Sequence, residues 1–374
     1  AAGIRLLIEP INTFDIPGFF LSLTQQALDI ALELRRVRIG RRTQHPTPHR
    51  IDEIQVRAPG PNEVLVEMKA SGLCHTDLSA MEGKFPVKLP AVLGHEGAGV
   101  VVECGQGVTS VRPGDPVILN NTAHCGTCLP CLSKKTGYCD TMAQDARLPS
   151  PFTWRGEPLG RMGPSASFSA HTIIDPARLT RIDPALAFET ASLVPCGVMT
   201  GFGAVNNVAK VEPGSKVLVF GMGSIGLNVL QACKLAGASV IVALDTNPAK
   251  ESVAREFGAT EFINPADDAV PLDKRIKTLL GGYADHAFDC VGHPAIVKQA
   301  VGLVNPYWGV MVAVGIAPVT EQITLPAATF YFGRSIRGTF IGDCNPVTDT
   351  PKILDHYHGG RLAIDRLITH RISL

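Results

Sequence analysis

Four cysteines within fifteen residues constrain this chain more than any other feature. They run Cys125-Gly126-Thr127-Cys128-Leu129-Pro130-Cys131 and then Cys139, a C-x2-C-x2-C-x7-C spacing. Four thiolates this close can surround one tetrahedral Zn²⁺ at Zn–S distances of about 2.3 Å. Such a closed shell leaves no position for substrate, so its predicted role is structural. The alternative for four close cysteines is a pair of disulfides or free thiols. Cysteines clustered at such spacing favour metal in a chain outside the secretory pathway.

Length and charge narrow the class. The 374 residues suffice for two domains with sizeable cores. With 34 basic against 34 acidic residues, no broad attraction to nucleic acid or to an anionic membrane is expected. No uninterrupted apolar run is long enough to span a bilayer. The N-terminus lacks the basic, apolar, small-residue order of a signal peptide. Ten cysteines, mostly in metal-like positions, fit a reducing compartment. The expectation is a soluble cytoplasmic enzyme with no nucleic-acid or membrane partner.

Along the chain, residues 1–48 form an atypical leader that is not expected to be an independent domain. The run from Ile4 to Thr13 is strand-like, and Ser22–Leu34 has apolar residues at helical spacing. Arg35, Arg36, Arg38, Arg41 and Arg42, followed by Pro46 and Pro48, read as a solvated linker. From Ile51 the pattern turns to short strands. Ile51–Arg57 and Val64–Ala70 are expected to pair across the Ala58-Pro59-Gly60-Pro61-Asn62 bridge; Gly99–Glu103 and Pro116–Asn120 follow. From about Thr200 the rhythm becomes strand–helix–strand. Lys216–Phe220, Ser239–Leu244, His286–Cys290 and Val310–Val314 are predicted strands; Ser224–Ala236 and Asn247–Phe257 are predicted helices. That alternation argues for a doubly wound parallel sheet. Beyond Ile336 the chain is expected to return to the first domain.

Gly221-Met222-Gly223-Ser224-Ile225-Gly226 lies between the buried-strand run Val217–Phe220 and a helical pattern, the context a dinucleotide fingerprint requires. Gly221 permits the tight turn, Gly223 lets backbone approach a pyrophosphate, and Gly226 allows close helix–strand packing. The N–H groups that open the helix at Ser224 and Ile225 face the phosphates. Asp245 closes the second strand, 19 residues after Gly226. A carboxylate there accepts hydrogen bonds from the adenosine ribose and repels a 2′-phosphate, which favours NAD over NADP.

Taken together, Cys74-His75-Thr76-Asp77, Gly94-His95-Glu96-Gly97-Ala98-Gly99, the four-cysteine run, Pro195-Cys196-Gly197 and the glycine run resemble the zinc-dependent medium-chain alcohol dehydrogenases. The resemblance covers about Ile51 to Leu374. It implies an α/β fold: a GroES-like distorted β-barrel catalytic domain over 49–199 with a structural-zinc lobe at 120–142, a Rossmann NAD-binding domain over 200–337, and a return over 338–374. It further implies two zinc ions per chain. The catalytic one would be held by Cys74, His95 and Cys196, and the structural one by Cys125, Cys128, Cys131 and Cys139.

By the same resemblance, Thr76 hydrogen-bonds the alcohol and begins the proton exit, and Asp77 orients His95. Glu96 sits behind the metal, and His75 lies near the cofactor pyrophosphate. Lys250 touches the ribose, and Val291 and Val314 complete the cofactor-binding set. Where many relatives carry a relay histidine, this chain has Ser79. Overall the text is nearest glutathione-dependent formaldehyde dehydrogenase, the class III enzyme. The acid and arginine that clamp the glutathione adduct there fall at Phe85 and Ala143 here, with Arg147 nearby. The expected reaction is therefore reversible hydride transfer from a hydrophobic or aromatic primary alcohol to NAD. The formaldehyde–glutathione adduct is the alternative substrate, and a catalytically impaired chimera or a non-catalytic relative the alternative roles.

Two further expectations concern the ends. Residues 1–34 resemble a fragment of hydroxypyruvate isomerase, with Glu9 at its glutamate position. One strand and one helix cannot close a barrel, so an isomerase site is not expected. After Leu367-Ile368-Thr369-His370 the family's further helix and closing strands are missing, and its first strand is replaced by the leader, so the barrel is expected to be weakened. Assembly into a homodimer or homotetramer through the Val310–Leu325 region is implied by the resemblance. Cys104, Cys233, Cys290 and Cys344 are expected to be ordinary buried residues.

Overall fold

The computed structural model describes residues 5–8, 53–133, 136–142, 149–267 and 269–373. The expected leader helix and linker, Glu9, Ala143 and Arg147 lie outside the described residues.

A mixed sheet of seven strands builds the first half: β1 (Arg5–Ile8), β3 (Val64–Leu73), β5 (Glu96–Cys104), β6 (Pro116–Leu119), β10 (His171–Ile174), β11 (Leu179–Arg181) and β18 (His370–Ser373). Smaller pairings join β2 (Gln55–Val56) to β7 (Phe152–Trp154) and β8 (Glu157–Pro158), and β4 (Ala91–Val92) to β9 (Gly160–Arg161). In the first half of β3, side chains alternate between buried and half-buried; past Ala70 all are buried. One side of β3 pairs antiparallel with β5. The other side is shared, its first half by β10 and its second half by β1.

That sharing corrects one expectation. Gln55–Val56 does not pair with β3 but runs antiparallel to Phe152–Trp154. Both edges of β3 are taken, and a bridge containing Pro59 and Pro61 lacks two N–H donors for a hairpin ladder. The leader brings a second finding. Its strand β1 lies inside the sheet, parallel to β3 and antiparallel to β18. Far from being an appendage, this stretch is an internal strand.

The second half is a six-stranded parallel sheet ordered β14 (Glu261–Ile263), β13 (Val240–Leu244), β12 (Lys216–Phe220), β15 (His286–Asp289), β16 (Val310–Ala313) and β17 (Ser335–Gly338). Val217 and Val219 pack into one apolar cluster and Leu218 and Phe220 into another, so both faces of β12 are covered. Its sequence is accordingly a continuous apolar run rather than an alternating one. The helix Ser224–Leu235 follows β12 as expected. The predicted Asn247–Phe257 helix divides: the Asn247 side chain caps a 3₁₀ turn at Pro248–Lys250, and the α-helix runs Glu251–Glu256. After β17 the chain passes through the helix Asp349–His358 and ends in β18 of the mixed sheet.

Between the sheets, residues 188–209 form a helical run interrupted by two π-type stretches, Val194–Val198 and Ala204–Ala209. This run and the helix Ser224–Leu235 share one apolar cluster with residues from both sheets, among them Ala70, Ile118, Val219 and Phe288.

Candidate functional site

β3 ends one residue before Cys74, and the helix His75–Met81 begins one residue after it. The Cys-His-Thr-Asp sequence folds as a capping box: Cys74 is the N-cap, and the Asp77 side chain reaches back to the Cys74 N–H at 3.0 Å. Asp77 has no exposed surface, and its other oxygen accepts the Gly94 N–H at 3.0 Å and lies 3.1 Å from His95 Nδ1. One carboxylate thus fixes two candidate ligands and leaves His95 Nε2 directed at the metal position.

Cys196 arrives from the far side, on the π-type turn Val194–Val198. Pro195 has no N–H to give to a regular helix, and the Val198 N–H reaches back five residues to Leu193 O at 3.5 Å. Such turns recur at functional positions. Cys196 Sγ lies 4.0 Å from Cys74 Sγ and 3.4 Å from His95 Nε2. Ligands at tetrahedral corners around zinc sit about 3.5–3.8 Å apart given Zn–S of about 2.3 Å and Zn–N of about 2.0 Å. The three residues therefore fit a zinc ion. Glu96, fully buried, belongs to the same group, in which one ligand atom of each residue lies within 4.8 Å of all the others.

The charges of these groups are linked. The hydrogen bond with Cys196 holds the Cys74 thiol well below its ordinary pKa, and the His95 charge adds to this against burial. Burial pushes His95 down, yet the Asp77 carboxylate and the Cys74 thiolate outweigh it and hold the ring well above its usual value. Thr76 is half-buried, with Oγ1 3.6 Å from Cys74 Sγ. Ser79 is half-buried one turn further along the same helix, and His75 is exposed at its first position.

In the lobe, the four cysteine sulfurs lie within 4.8 Å of one another, with Cys128 and Cys139 3.9 Å apart. None is in a disulfide. The Thr127 hydroxyl at 3.5 Å and the Cys128 N–H at 3.4 Å bond Cys125 Sγ, drawing its pKa down to about 5. Burial pushes Cys131 up to about 12. Four adjacent thiols cannot all ionise without a cation to neutralise them, and this donor set suits zinc.

At the C-terminal end of the parallel sheet, Gly221 has φ +92°, and its N–H bonds Leu244 O at 2.8 Å. A Cβ on Gly226 would overlap the Gly221 carbonyl oxygen. Asp245 accepts the Met222 N–H at 2.8 Å and the Asn247 N–H at 2.9 Å, so it braces the glycine turn. Ser224 Oγ, at the start of the helix, is buried without a hydrogen-bond partner, as expected of a group awaiting a ligand. Lys250 is buried; desolvation lowers its pKa and the nearby Asp245 carboxylate opposes the shift. Val291 and Val314 follow the adjacent strands β15 and β16 at this same end, where the Val291 N–H bonds Asp289 Oδ1 and the Val314 N–H bonds Asp289 O, both at 2.9 Å. The glycine turn, the orphaned Ser224 hydroxyl and Asp245 suit a dinucleotide.

Residues 60–183 match the alcohol dehydrogenase GroES-like domain, and residues 224–358 match the zinc-binding dehydrogenase family. The chain is 41% identical over 342 residues to the class-3 alcohol dehydrogenase of Cereibacter sphaeroides, a match spanning 87% of this chain and 91% of that protein. This chain belongs to the zinc-dependent alcohol dehydrogenase family. The S-(hydroxymethyl)glutathione dehydrogenase of Paracoccus denitrificans is 40% identical over 341 residues, again spanning 87% and 91%. Among solved structures, benzyl alcohol dehydrogenase of Acinetobacter calcoaceticus superposes with a TM-score of 0.76 at 30% identity, over 84% of this chain and 86% of that one. As a member of this family the chain is an oxidoreductase that uses zinc and NAD.

Sequence reasoning missed Asn121, whose side chain reaches both the His95 and the Cys196 segments. It left Asp289 unmentioned too, a buried carboxylate one residue past the end of a short apolar pair. Cys104, expected to be buried, is half-exposed. No helix among the described residues is long and apolar enough to cross a membrane.

Proposed function

We propose that the chain oxidises a primary alcohol to the aldehyde with NAD, reversibly, at the site built by Cys74, His95 and Cys196. The carrying observation is the convergence of these three side chains, from segments far apart in sequence, at tetrahedral separations. Zinc bound there supplies Lewis acidity toward the alcohol oxygen, and NAD accepts the hydride. In this reading Thr76 takes the hydroxyl proton, because a hydroxyl can accept and donate in one step. Ser79, three residues on and therefore on the same helix face, hands it to water. Asp77 holds His95 in one tautomer, and Glu96 stands behind the metal position. His75, Gly221, Gly223, Ser224, Ile225, Gly226, Asp245, Lys250, Val291 and Val314 hold the cofactor. Cys125, Cys128, Cys131 and Cys139 hold the structural zinc. Residues 49–199 with 338–374 act as the catalytic domain and 200–337 as the cofactor domain.

For the substrate, the names of the curated relatives favour the formaldehyde–glutathione adduct. A hydrophobic or aromatic alcohol is the second reading. It is favoured by Phe85, which packs with Met81 and Val87 against an apolar cluster of Leu73, Ala80, Leu93, Met162 and Phe168. The test is NADH formation by the zinc-loaded chain. Turnover of the adduct with little activity on benzyl alcohol supports the first reading, and the reverse supports the second. Silence on both overturns the assignment and favours an impaired chimera.

Self-association is proposed through the region around Val310–Leu325. Ile316, Val319 and Ile323 are exposed there, beside exposed Tyr307, Trp308, Phe330, Tyr331 and Phe332. Grouped apolar side chains of this kind mark contact surfaces.

A further inference from the structure

Asn121 stands just past the end of β6 and is 6% exposed. Its Nδ2 donates two hydrogen bonds, to His95 O at 2.9 Å and to Pro195 O at 3.1 Å. These carbonyls belong to segments 26 and 74 residues away in sequence. The first is the backbone of a candidate metal ligand. The second belongs to the residue before another, Cys196. A single planar amide group therefore ties the backbones behind two of the three ligands at fixed separation. Only a primary amide or a charged nitrogen can do this, because the task needs two protons on one nitrogen.

Asn121 is itself anchored. Its main-chain carbonyl accepts the Arg178 Nη1–H at 2.5 Å, and Arg178 is 2% exposed. Neighbouring Asn120 donates from Nδ2 to Arg178 O at 2.9 Å and to Thr180 Oγ1 at 3.0 Å. Arg178 thus anchors the Asn121 backbone directly, while the Asn120 side chain bonds the same arginine segment and not Asn121. Pro195 and the π-type turn make the Cys196 segment irregular, so no helix ladder of ordinary pitch fixes its position. The Asn121 bond to Pro195 O supplies that constraint from outside the turn.

We propose that Asn121 is a positioning residue for the catalytic metal centre: it sets the distance between His95 and Cys196 through their backbones. This rests on the reading of Cys74, His95 and Cys196 as metal ligands. Burial alone would allow a plain structural role, and the two roles differ in what a substitution moves. Losing the amide donors should loosen the Cys/His/Cys set and leave the four-cysteine lobe intact. Asn120, in the same network but bonded to neither ligand segment, is the matched control.

The experiment replaces zinc with Co²⁺ and follows the thiolate-to-metal absorption together with metal retention against a chelator. The chains compared are the wild type, Asn121→Asp, Asn121→Ser and Asn120→Leu. Asp keeps the shape without donors, and Ser keeps one donor in a smaller side chain should Asp not fold. The expected result is an altered cobalt spectrum and at least about tenfold weaker retention at the Cys/His/Cys site in the Asn121 variants, as for other groups that orient ligands. Retention at the four-cysteine site and in Asn120→Leu should match the wild type. Unchanged spectra and retention in both Asn121 variants, or equal metal loss in Asn120→Leu, would overturn the proposal. A wild-type chain that binds cobalt at the four-cysteine site alone would instead overturn the metal-site reading beneath it.

Discussion

Asp77 serves His95 and Cys74 at once, with one oxygen 3.1 Å from His95 Nδ1 and the other accepting the Cys74 N–H at 3.0 Å. The helix cap and the ligand orienter are thus the same carboxylate. Asp77→Asn keeps the volume but replaces one acceptor oxygen with a donor, which faces either the Cys74 N–H or the His95 ring and the Gly94 N–H. The expected outcome is a loss of about 10–100-fold in affinity for the catalytic metal, with cofactor affinity kept. Chelator competition followed by metal analysis checks it.

Cys128→Ser removes one corner of the lobe, whose sulfurs lie within 4.8 Å of one another. A structural site with three thiolates binds zinc far less tightly, and its binding energy is folding energy. The variant should lose the lobe zinc, keep the Cys/His/Cys zinc, and melt at lower temperature. Metal stoichiometry and calorimetry on the same preparation test this, and unchanged stoichiometry would remove the lobe assignment.

Much of this was legible in the sequence, for reasons that differ by element. β12 and the glycine turn were readable because Val217–Phe220, covered on both faces, has no polar positions and Gly221 has φ +92°. The four-cysteine lobe was readable because its ligands are local. The pairing of Gln55–Val56 was not, since its partner Phe152–Trp154 lies about a hundred residues away and nothing local names it. Asn121 was hidden for the same reason: an asparagine after a strand normally reads as a turn residue, and only the fold reveals the two carbonyls beside it. The place of β1 inside the sheet was hidden too, because a four-residue apolar run does not say which edge it joins.

Asp245 supports the glycine turn through Met222 N–H, besides its proposed role at the ribose. Asp245→Ala should therefore do two things: shift the NAD-to-NADP preference toward NADP, and weaken both cofactors. Gly226→Ala should abolish binding of either, because the new Cβ meets the Gly221 carbonyl. Cofactor titrations by fluorescence separate these outcomes. An unchanged cofactor ratio in Asp245→Ala would cancel its role at the ribose.

The leader strand β1 offers a test of its own. Among the described residues, β18 pairs with β1 alone, and Ile8 lies opposite Leu73, one residue before Cys74. Removing residues 1–8 should leave β18 without a neighbour and free one side of β3 beside Cys74, the proposed metal ligand. A lower melting temperature and weaker catalytic-metal retention are expected, and scanning calorimetry with chelator competition measures both. Equal values in the shortened and full chains would mean that β1 contributes nothing to the sheet.

Asp289 sets a pH dependence. It is 1% exposed, and its Oδ2 has no hydrogen-bond partner, while Oδ1 accepts the Val291 and Gly292 N–H groups. Burial raises its pKa from 3.8 to about 6 against those bonds. A carboxyl whose folded pKa exceeds its unfolded value binds more protons when folded, so stability falls as pH rises between the two values and then levels off. The stabilising contribution is present below pH 3.8 and is gone once the pH has passed about 6. Asp289→Asn keeps the Oδ1 acceptor and cannot ionise. It should melt higher than the wild type at pH 8, and the gap should close as the pH drops toward 4, where the native carboxyl is neutral. Melting curves across that range decide the matter: a gap that is constant with pH would show that folding does not raise the pKa of Asp289.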